Sequence, residues 1–417
     1  MNKNIKLAVA GAVLALSAQA NAGIIIPAGD WTLDVNGNVN AYANWSKYDH
    51  AATITGGLAG AKDKAGEDST QGINTGLLPA WLGFTGTTRQ NDTDVSFTIS
   101  MQPNVSDNGS TGDGKTPLFR QSFITFGDKT WGSVKLGKDI GIFASDAILN
   151  DMTLLGVGSN ANNSGVSTTL GGIGTGYIYA AWKGQVAYTT PNMNGFQATL
   201  GIVNPNQGLD RNIATLDGNT TTAGAGLYGA HLYQDRFGLE GKASYSFAAD
   251  NFTGKIWVGG HSSKVKLNTS TAAATAAGIL EYTATAADIG ANVNAGNVGL
   301  TAYYYKGEGV GTTLLLGNGY DSTKGKRDSD GGYLQATYIL PTKTKFGVAY
   351  GRSTLDLASG ESTSALVKEN ERMTVGLYHP LTKHLNLVAE YNDIESKSHN
   401  GLKNQHNTGS LGAILFF

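Results

Sequence analysis

The sequence predicts an all-β chain that closes into a transmembrane antiparallel β-barrel of about sixteen strands. Three observations support this prediction: long segments in which apolar and polar residues alternate, connections that alternate between short and long, and a low charge content. Charged residues make up 15% of the 417 residues, and there are 58 glycines. This composition differs from that of a typical soluble enzyme, and helical 3.6-residue spacing is scarce beyond the N-terminus.

The alternation is clearest in the segment WTLDVNGNVNAYANW, residues 31–45. Small or apolar residues occupy its odd positions and mostly polar residues its even positions, so a strand here has one apolar and one polar face. Trp31 and Trp45 share the apolar face, and a tilted strand separates them by roughly 33 Å along the membrane normal. We therefore expect both tryptophans in the interfacial girdles of a membrane barrel. The same alternation recurs in 95–100, 196–202, 239–247, 288–294 and 385–391.

The lengths of the connections distinguish the periplasmic end of the barrel from its outer end. Short turns alternate with longer polar segments, as in barrels with short periplasmic turns and long outer loops. Counting 227–234 as a strand gives seventeen and breaks this alternation, whereas assigning it to a loop gives sixteen; eighteen is the alternative. The long segments lie near 46–76, 104–116, 138–181, 204–235, 265–281, 309–330, 356–369 and 397–406.

The N-terminus has the three parts of a secretory signal peptide. A basic start precedes the apolar run LAVAGAVLAL, and Ala20-Asn21-Ala22 follows as a small-residue cleavage site. We expect residues 1–22 to be removed and 23–417 to form one barrel domain. No later run of about 18 apolar residues exists, so we expect no membrane helix, and the exported protein is either soluble or inserted as a barrel.

Other classes of function find little support in the sequence. A formal net charge of −2 argues against a nucleic-acid partner, and the absence of cysteine excludes thiolate sites. The scattered histidines lack the spacing of a metal site, and GAGLYG matches a dinucleotide fingerprint without its strand and helix. We expect no enzyme activity, metal or cofactor. A weak divalent-ion or lipopolysaccharide contact at 321–331 stays open, although calcium-loop spacing is missing there.

Three motifs, in this order, resemble the Gram-negative outer-membrane porins, which are trimeric sixteen-stranded diffusion channels. They are LFRQSFITFGDKTWGSVKLGKD (118–139), YTTPNMNGFQATL (188–200) and LGAILFF (411–417). The resemblance implies a homotrimer in the outer membrane, among lipid and lipopolysaccharide, that passes small hydrophilic solutes and ions passively. It also implies that the barrel-assembly machinery reads a C-terminal signal containing Leu415 and Phe417.

The resemblance further implies that one long loop, loop 3 at about 138–181, folds into the lumen and forms a constriction. Its acidic side would comprise Asp139, Asp146 and Asp151. The opposite basic wall would comprise pore-lining cations at Arg89, Arg120, Lys135, Lys242 and Lys255. The chain departs from the family where many relatives have an arginine, since Trp81 stands there, and the Pro-Glu-Phe-Gly-Gly tip of loop 3 in some members is missing. Ion preference therefore stays open.

Two alternatives remain at this stage. A substrate-selective porin, for sugars, phosphate or organic acids, would need a ladder of luminal aromatics or a dense basic cluster, and neither stands out. A barrel enzyme or a surface-binding protein belongs to a different class. An enzyme would need clustered His, Asp and Ser at the rim of the barrel. If the purified protein in liposomes passes no small sugars, both the enzyme and the surface-binding protein are favoured over the channel.

Overall fold

The computed structural model describes residues 23–63, 65–105, 118–161, 168–204, 235–266, 281–321 and 324–417. The chain is all-β, as predicted. In the described part, no helix has both the length and the apolar character needed to cross a membrane. The expected signal peptide and segment 227–234 lie outside the described residues.

Long strands form the wall. In chain order they are β1 Ile24–Ala28, β2 Trp31–Tyr48, β3 Ser69–Asn74, β4 Trp81–Gln90, β5 Thr93–Gln102, β6 Leu118–Asp128, β7 Gly132–Ile140, β8 Trp182–Thr189, β9 Phe196–Val203, β10 Gly238–Ala248, β11 Phe252–Lys266, β12 Glu281–Ala295, β13 Val298–Glu308, β14 Tyr320–Asp321, β15 Gly325–Lys326, β16 Asp328–Ile339, β17 Lys345–Leu355, β18 Val367–Pro380, β19 Leu385–Ser398 and β20 Lys403–Phe416. Two short helices lie between β7 and β8, namely α1 Ser145–Leu149 and the 3₁₀ helix Met152–Leu155. β14 and β15 form a small separate hairpin.

The remaining 18 strands form one sheet that closes on itself. Along the ring each strand pairs antiparallel with its neighbours, and β2 completes it by pairing with β20 on one side and with β3 and β4 on the other. β3 and β4 occupy successive parts of one position in the wall. β1 pairs with residues 31–35 of β2 and so continues the line of β20. The wall therefore has the sixteen strand positions that the sequence predicts.

The connections follow the predicted alternation except at the last one. Segment 397–406 is predicted to be a long loop, but β19 extends to Ser398 and β20 begins at Lys403, which leaves a short turn. This prediction was wrong because both faces of the two strands are polar near this turn. Lys397 pairs with Lys403 across the ladder, and the polar residues continue the strands instead of interrupting them.

The two faces of the wall meet different surroundings. Leucine, isoleucine and valine side chains such as Leu200, Ile289 and Leu334 are exposed on the outer face. Asn38 and Asn40, on the polar face of β2, point inward but are buried. Their amides donate to the carbonyls of Pro79 and Leu78, each at 2.9 Å, because the β3–β4 connection turns into the barrel.

The hydrophobic core lies inside the barrel, whereas the core of a soluble sandwich lies between its two sheets. Phe143 and Tyr177, from the β7–β8 connection, pack with Leu58 from the β2–β3 connection and Leu315 from the β13–β14 connection. They meet inward tyrosines of the wall, including Tyr303. Connections thus fill much of the lumen along β12–β20.

Candidate functional site in the barrel interior

Loop 3, defined here as residues 141–181, enters the barrel between β7 and β8. Its first part contains α1 and the 3₁₀ helix, both of which carry buried apolar residues. Phe143, Ala147 and Ile148 are buried beside Trp257 and Tyr303. The described parts of the loop thus lie within the lumen.

Carboxylates of the wall hold the backbone of loop 3. Glu240 Oε2 accepts from the N–H groups of Ile142 and Phe143 at 2.9 and 3.1 Å. Asp288 Oδ2 accepts from Ala144 at 3.2 Å. Glu390 Oε2 accepts from the N–H groups of residues 157 and 158, both at 2.9 Å. Since unpaired N–H groups are costly to bury, these acceptors fix where the loop runs.

Asp146 meets two of the predicted basic residues. Its carboxylate accepts from Lys242 Nζ at 3.0 Å and from Lys255, and Lys242 also donates to Ser145 Oγ at 3.0 Å. Burial raises the pKa of the Asp146 carboxyl, but the two lysines lower it more, so that its pKa lies below the ordinary value. The carboxylate is therefore ionised at neutral pH and is in direct contact with both lysines.

Asp151 has a different environment. Its carboxylate accepts from the N–H groups of Thr153 and Gly172, both at 2.9 Å, and from the Tyr177 hydroxyl at 2.8 Å. Thr153 N–H belongs to the first turn of the 3₁₀ helix, which Asp151 therefore caps. Arg372 on β18 lies 3.6 Å away. This aspartate mainly shapes loop 3 itself.

Asp139 and Lys135 belong to β7, and Asp139 lies at the end of the strand before loop 3 begins. The two side chains form an ion pair, and Asp139 also accepts from Gln121 Nε2 at 3.0 Å. Asp139, Asp146 and Asp151 thus make three separate sets of contacts, and only Asp146 meets Lys242 and Lys255.

The two predicted arginines lie apart from the Asp146 cluster. Arg89 stands beside the β4–β5 turn, where it pairs with Asp94 at 2.7 Å and Asp128 at 3.1 Å. Arg120 lies on β6 beside an irregularity of register, and its backbone N–H donates to Gln102 at 3.0 Å. Neither arginine contacts Asp146 within the described residues.

The remaining lumen wall is rich in hydroxyl groups. Thr85 on β4 and Thr98 on β5 form a cross-strand hydrogen bond of 3.1 Å, and Thr189 on β8 and Thr199 on β9 form one of 2.9 Å. These inward residues are only partly buried, unlike the inward residues of β12 and β13. Open space inside the wall therefore lies beside these threonines.

The residues predicted for the membrane interfaces and for assembly lie on the outer face or at the seam. Trp45 is exposed there, and the Trp31 ring lies 5.7 Å from that of Phe97. Leu415 is exposed on the same face. The backbone of Phe417 exchanges two hydrogen bonds with Gly37, at 2.7 and 3.0 Å.

Several important interior residues were not singled out from the sequence. Glu240 joins Lys183 and His261 in a buried group, with 3.0 Å between His261 Nδ1 and the carboxylate. Glu390 and Arg372 contact loop 3 from β19 and β18. Their position on the inward face is the only signal that the sequence contains, because their partners are far away along the chain.

Comparison with known proteins gives a consistent result. A family model described as Gram-negative porin matches residues 7–399. No curated protein sequence matches the chain. Among solved structures, the outer membrane channel DcaP of Acinetobacter baumannii is similar with a TM-score of 0.63 at 16% identity, covering 94% of this chain and 99% of that chain. OmpF of Salmonella typhi, in complex with daunomycin, gives 0.56 at 14% identity, covering 94% and 100%. A trimer form of OmpT of Vibrio cholerae gives 0.53 at 13% identity, covering 93% and 99%.

Proposed function

The chain belongs to the Gram-negative porin family, and we propose that loop 3 forms the narrowest part of its channel at Asp146, Lys242 and Lys255. As a porin it is an outer-membrane channel for passive diffusion of small hydrophilic solutes. Membership of the family does not determine which residues a solute contacts inside the channel. A constriction needs a segment inside the lumen that is fixed against the wall.

The observation that carries this proposal is the contact between Asp146 on α1 and two lysines on adjacent strands, β10 and β11. Ion pairs inside a partly dry lumen hold their geometry best when further hydrogen bonds support them. Here Ser145 accepts from Lys242, and Glu240 and Asp288 accept from the N–H groups just before α1. Loop 3 is thereby supported on the side where the lumen is open.

The other predicted residues take different roles in this proposal. Lys135 and Asp139 line the passage beside the start of loop 3, and Arg120 contributes to the wall of β6. Arg89 belongs to the periplasmic mouth, since it sits at a short turn. Asp151 keeps the loop in shape through the 3₁₀ helix and Arg372.

We also propose that the mature protein is a homotrimer without enzymatic activity. The solved structure of OmpT of Vibrio cholerae described as a trimer form has a similar fold. Removal of residues 1–22, contact with lipopolysaccharide and recognition of Leu415 and Phe417 by the assembly machinery belong to the same proposal. The proposal also includes positions at the membrane interfaces for Trp31 and Trp45. The exposure of Trp45 on the outer face of the wall supports this assignment.

A thiol-labelling experiment tests the constriction. The chain contains no cysteine, so Lys255→Cys provides a single reactive site on the inward face of β11. Lys264→Cys is the matched control, because Lys264 lies on the outer face of the same strand. In planar bilayers, a bulky thiol reagent should lower the single-channel conductance of Lys255→Cys and leave that of Lys264→Cys unchanged. Equal behaviour of the two variants contradicts the proposed constriction.

A further inference from the structure

We propose that this channel prefers anions, and that Lys242 and Lys255 bind the permeating anion beside loop 3. The ligand class is a compact anion, such as chloride or a small carboxylate. The inference rests on the proposed function, in which these lysines lie at the narrowest part. It adds the sign of the selectivity and the groups that produce it.

The first argument concerns which charged atoms a solute can reach. The side chains of Lys242, Lys255 and Lys135 are 26%, 19% and 32% exposed. Their partners Asp146 and Asp139 are only 2% and 7% exposed. An ion moving past loop 3 therefore meets ammonium groups directly, whereas the carboxylates lie behind them.

The second argument concerns hydrogen-bonding capacity. A lysine ammonium has three donors and no acceptor. Within the described residues, Lys242 uses donors on Ser145 and Asp146, and Lys255 uses one on Asp146 and lies 6.0 Å from the centre of the Trp257 ring. Donors therefore remain on both ammonium groups for a passing anion. The buried Asp146 carboxylate already accepts from two lysines, so a passing cation finds few of its oxygen lone pairs accessible.

The third argument concerns the local charge. Two lysines share one aspartate, so the group of Lys242, Lys255 and Asp146 carries a net positive charge. Asp288 is the nearby carboxylate that opposes this, but it is buried and accepts from Ala144 N–H and Tyr303 OH, each at 3.2 Å. It lies beneath α1 and is screened from the passage by that contact.

Exposed carboxylates do occur elsewhere in the passage. Asp92 and Asp94 stand at the β4–β5 turn, where both pair with Arg89. Both side chains are strongly exposed to water, which weakens their effect on permeating ions because salt screens exposed charges within about 8 Å at physiological ionic strength. The narrow region at loop 3 should therefore dominate selectivity.

The test measures the reversal potential of single channels in a KCl gradient. We expect the wild-type channel to prefer chloride over potassium. Replacing both lysines, in Lys242→Gln with Lys255→Gln, should lower the ratio of anion to cation permeability by roughly four- to twenty-fivefold, because each of the two unit charges contributes roughly two- to fivefold at a few ångströms in water. Lys264→Gln removes the same charge from the outer face of β11 and should leave the ratio unchanged.

A second measurement needs only the wild-type protein, in case the double variant does not fold. Replacing chloride by gluconate, a bulky anion, should reduce conductance more than replacing potassium by Tris, a bulky cation. Cation preference of the wild type, the reverse order of these two losses, or an equal effect of Lys264→Gln overturns the inference. A conducting channel that prefers cations leaves the proposed constriction standing, while a folded barrel with no conductance removes the proposed function as well.

Discussion

The guanidinium of Arg372 and the carboxylate of Asp151 face each other inside the barrel, with 3.6 Å between Nη2 and Oδ2 and with both side chains 1% exposed. The pair joins β18 to the loop that crosses the lumen. Breaking one partner of such a pair leaves an uncompensated buried charge, which costs about 3–5 kcal/mol. We expect Arg372→Met to lower the free energy of unfolding, measured by urea denaturation in detergent micelles, by about that amount.

The double variant Asp151→Asn with Arg372→Met is the control for this pair. Because it removes both charges, it should recover part of the stability that Arg372→Met loses. A double variant that is less stable than the single one by the full cost of a second buried charge contradicts the pairing.

Glu390 tests the anchoring of loop 3 by the wall. Its carboxylate accepts from the N–H groups of residues 157 and 158 and from the Tyr378 hydroxyl. Hydrogen bonds to a charged group contribute about 1.5–3 kcal/mol each, so Glu390→Gln should destabilise the barrel by a few kcal/mol and increase the open-channel current noise. Glu395→Gln, on the outer face of the same strand, should change stability by less than about 1 kcal/mol. Similar effects of the two variants are incompatible with this anchoring.

The outer loops contain a pH-dependent contact between Glu361 and Arg327. Arg327 donates to both carboxylate oxygens, at 2.9 and 2.5 Å. Burial raises the pKa of Glu361, but Arg327 and the Ala358 N–H lower it more, so its pKa lies below the ordinary value. The contact therefore contributes stability above the unfolded-state pKa and loses it as pH falls through the lower folded-state pKa.

Limited proteolysis of the 356–366 segment as a function of pH measures this effect. We expect slow cleavage at neutral pH and faster cleavage in acid, below roughly pH 4. Glu361→Gln should be cleaved fast at every pH. If the variant keeps the pH profile of the wild type, another group causes it.

The position of Trp45 can be measured by fluorescence quenching. Six tryptophans are present, and variants that keep one and replace the others by phenylalanine isolate each signal. Trp45, exposed on the outer face, should be quenched by lipids brominated near the headgroup end of their chains. Trp257, buried on the inward face of β11, is the control and should respond weakly. Equal quenching of the two contradicts the assignment of faces.

Phe417 tests how the wall closes. Its backbone donates to Gly37 O at 3.0 Å and accepts from Gly37 N–H at 2.7 Å. Deleting Phe417 removes both bonds at the seam and the terminal residue of the proposed assembly signal. We expect a smaller heat-modifiable, folded fraction in the outer membrane. Phe417→Tyr, which keeps the backbone bonds and an aromatic terminus, should assemble almost normally, and a fully folded deletion variant argues against the signal.

Alternation, together with the order of short and long connections, predicted the barrel but not which segment meets each inward side chain. A period of two residues tells which side chains of β2 point inward, and Asn38 and Asn40 do so. It carries no information on whether water or another segment meets them. The β3–β4 connection meets them here, and Tyr177 of loop 3 covers Tyr303 and Tyr333 in the same way.

The site was predictable in part for the same reason. Asp146, Lys242 and Lys255 could be named as candidates because of their positions in the loop and on polar strand faces. Their direct contact spans separations of 96 and 109 residues, and no local pattern encodes it. Arg372, Glu390 and Glu240 were missed because each lies on an ordinary inward position, and its importance depends on the place where the loop crosses the barrel.

The shared wall position of β1 and β20 brings the beginning of β1 close to the end of β20. Phe417 pairs with Gly37 and Ile24 pairs with Val35, so the two ends follow one another along the same side of β2 with only a small gap between them. The wall is therefore a closed ring whose backbone is interrupted beside β2, between the end of β20 and the beginning of β1. A circularly permuted gene that omits residues 1–22, joins the end of β20 to the beginning of β1 and opens one of the short turns would preserve every strand neighbour, and it would move the point at which the barrel closes during insertion.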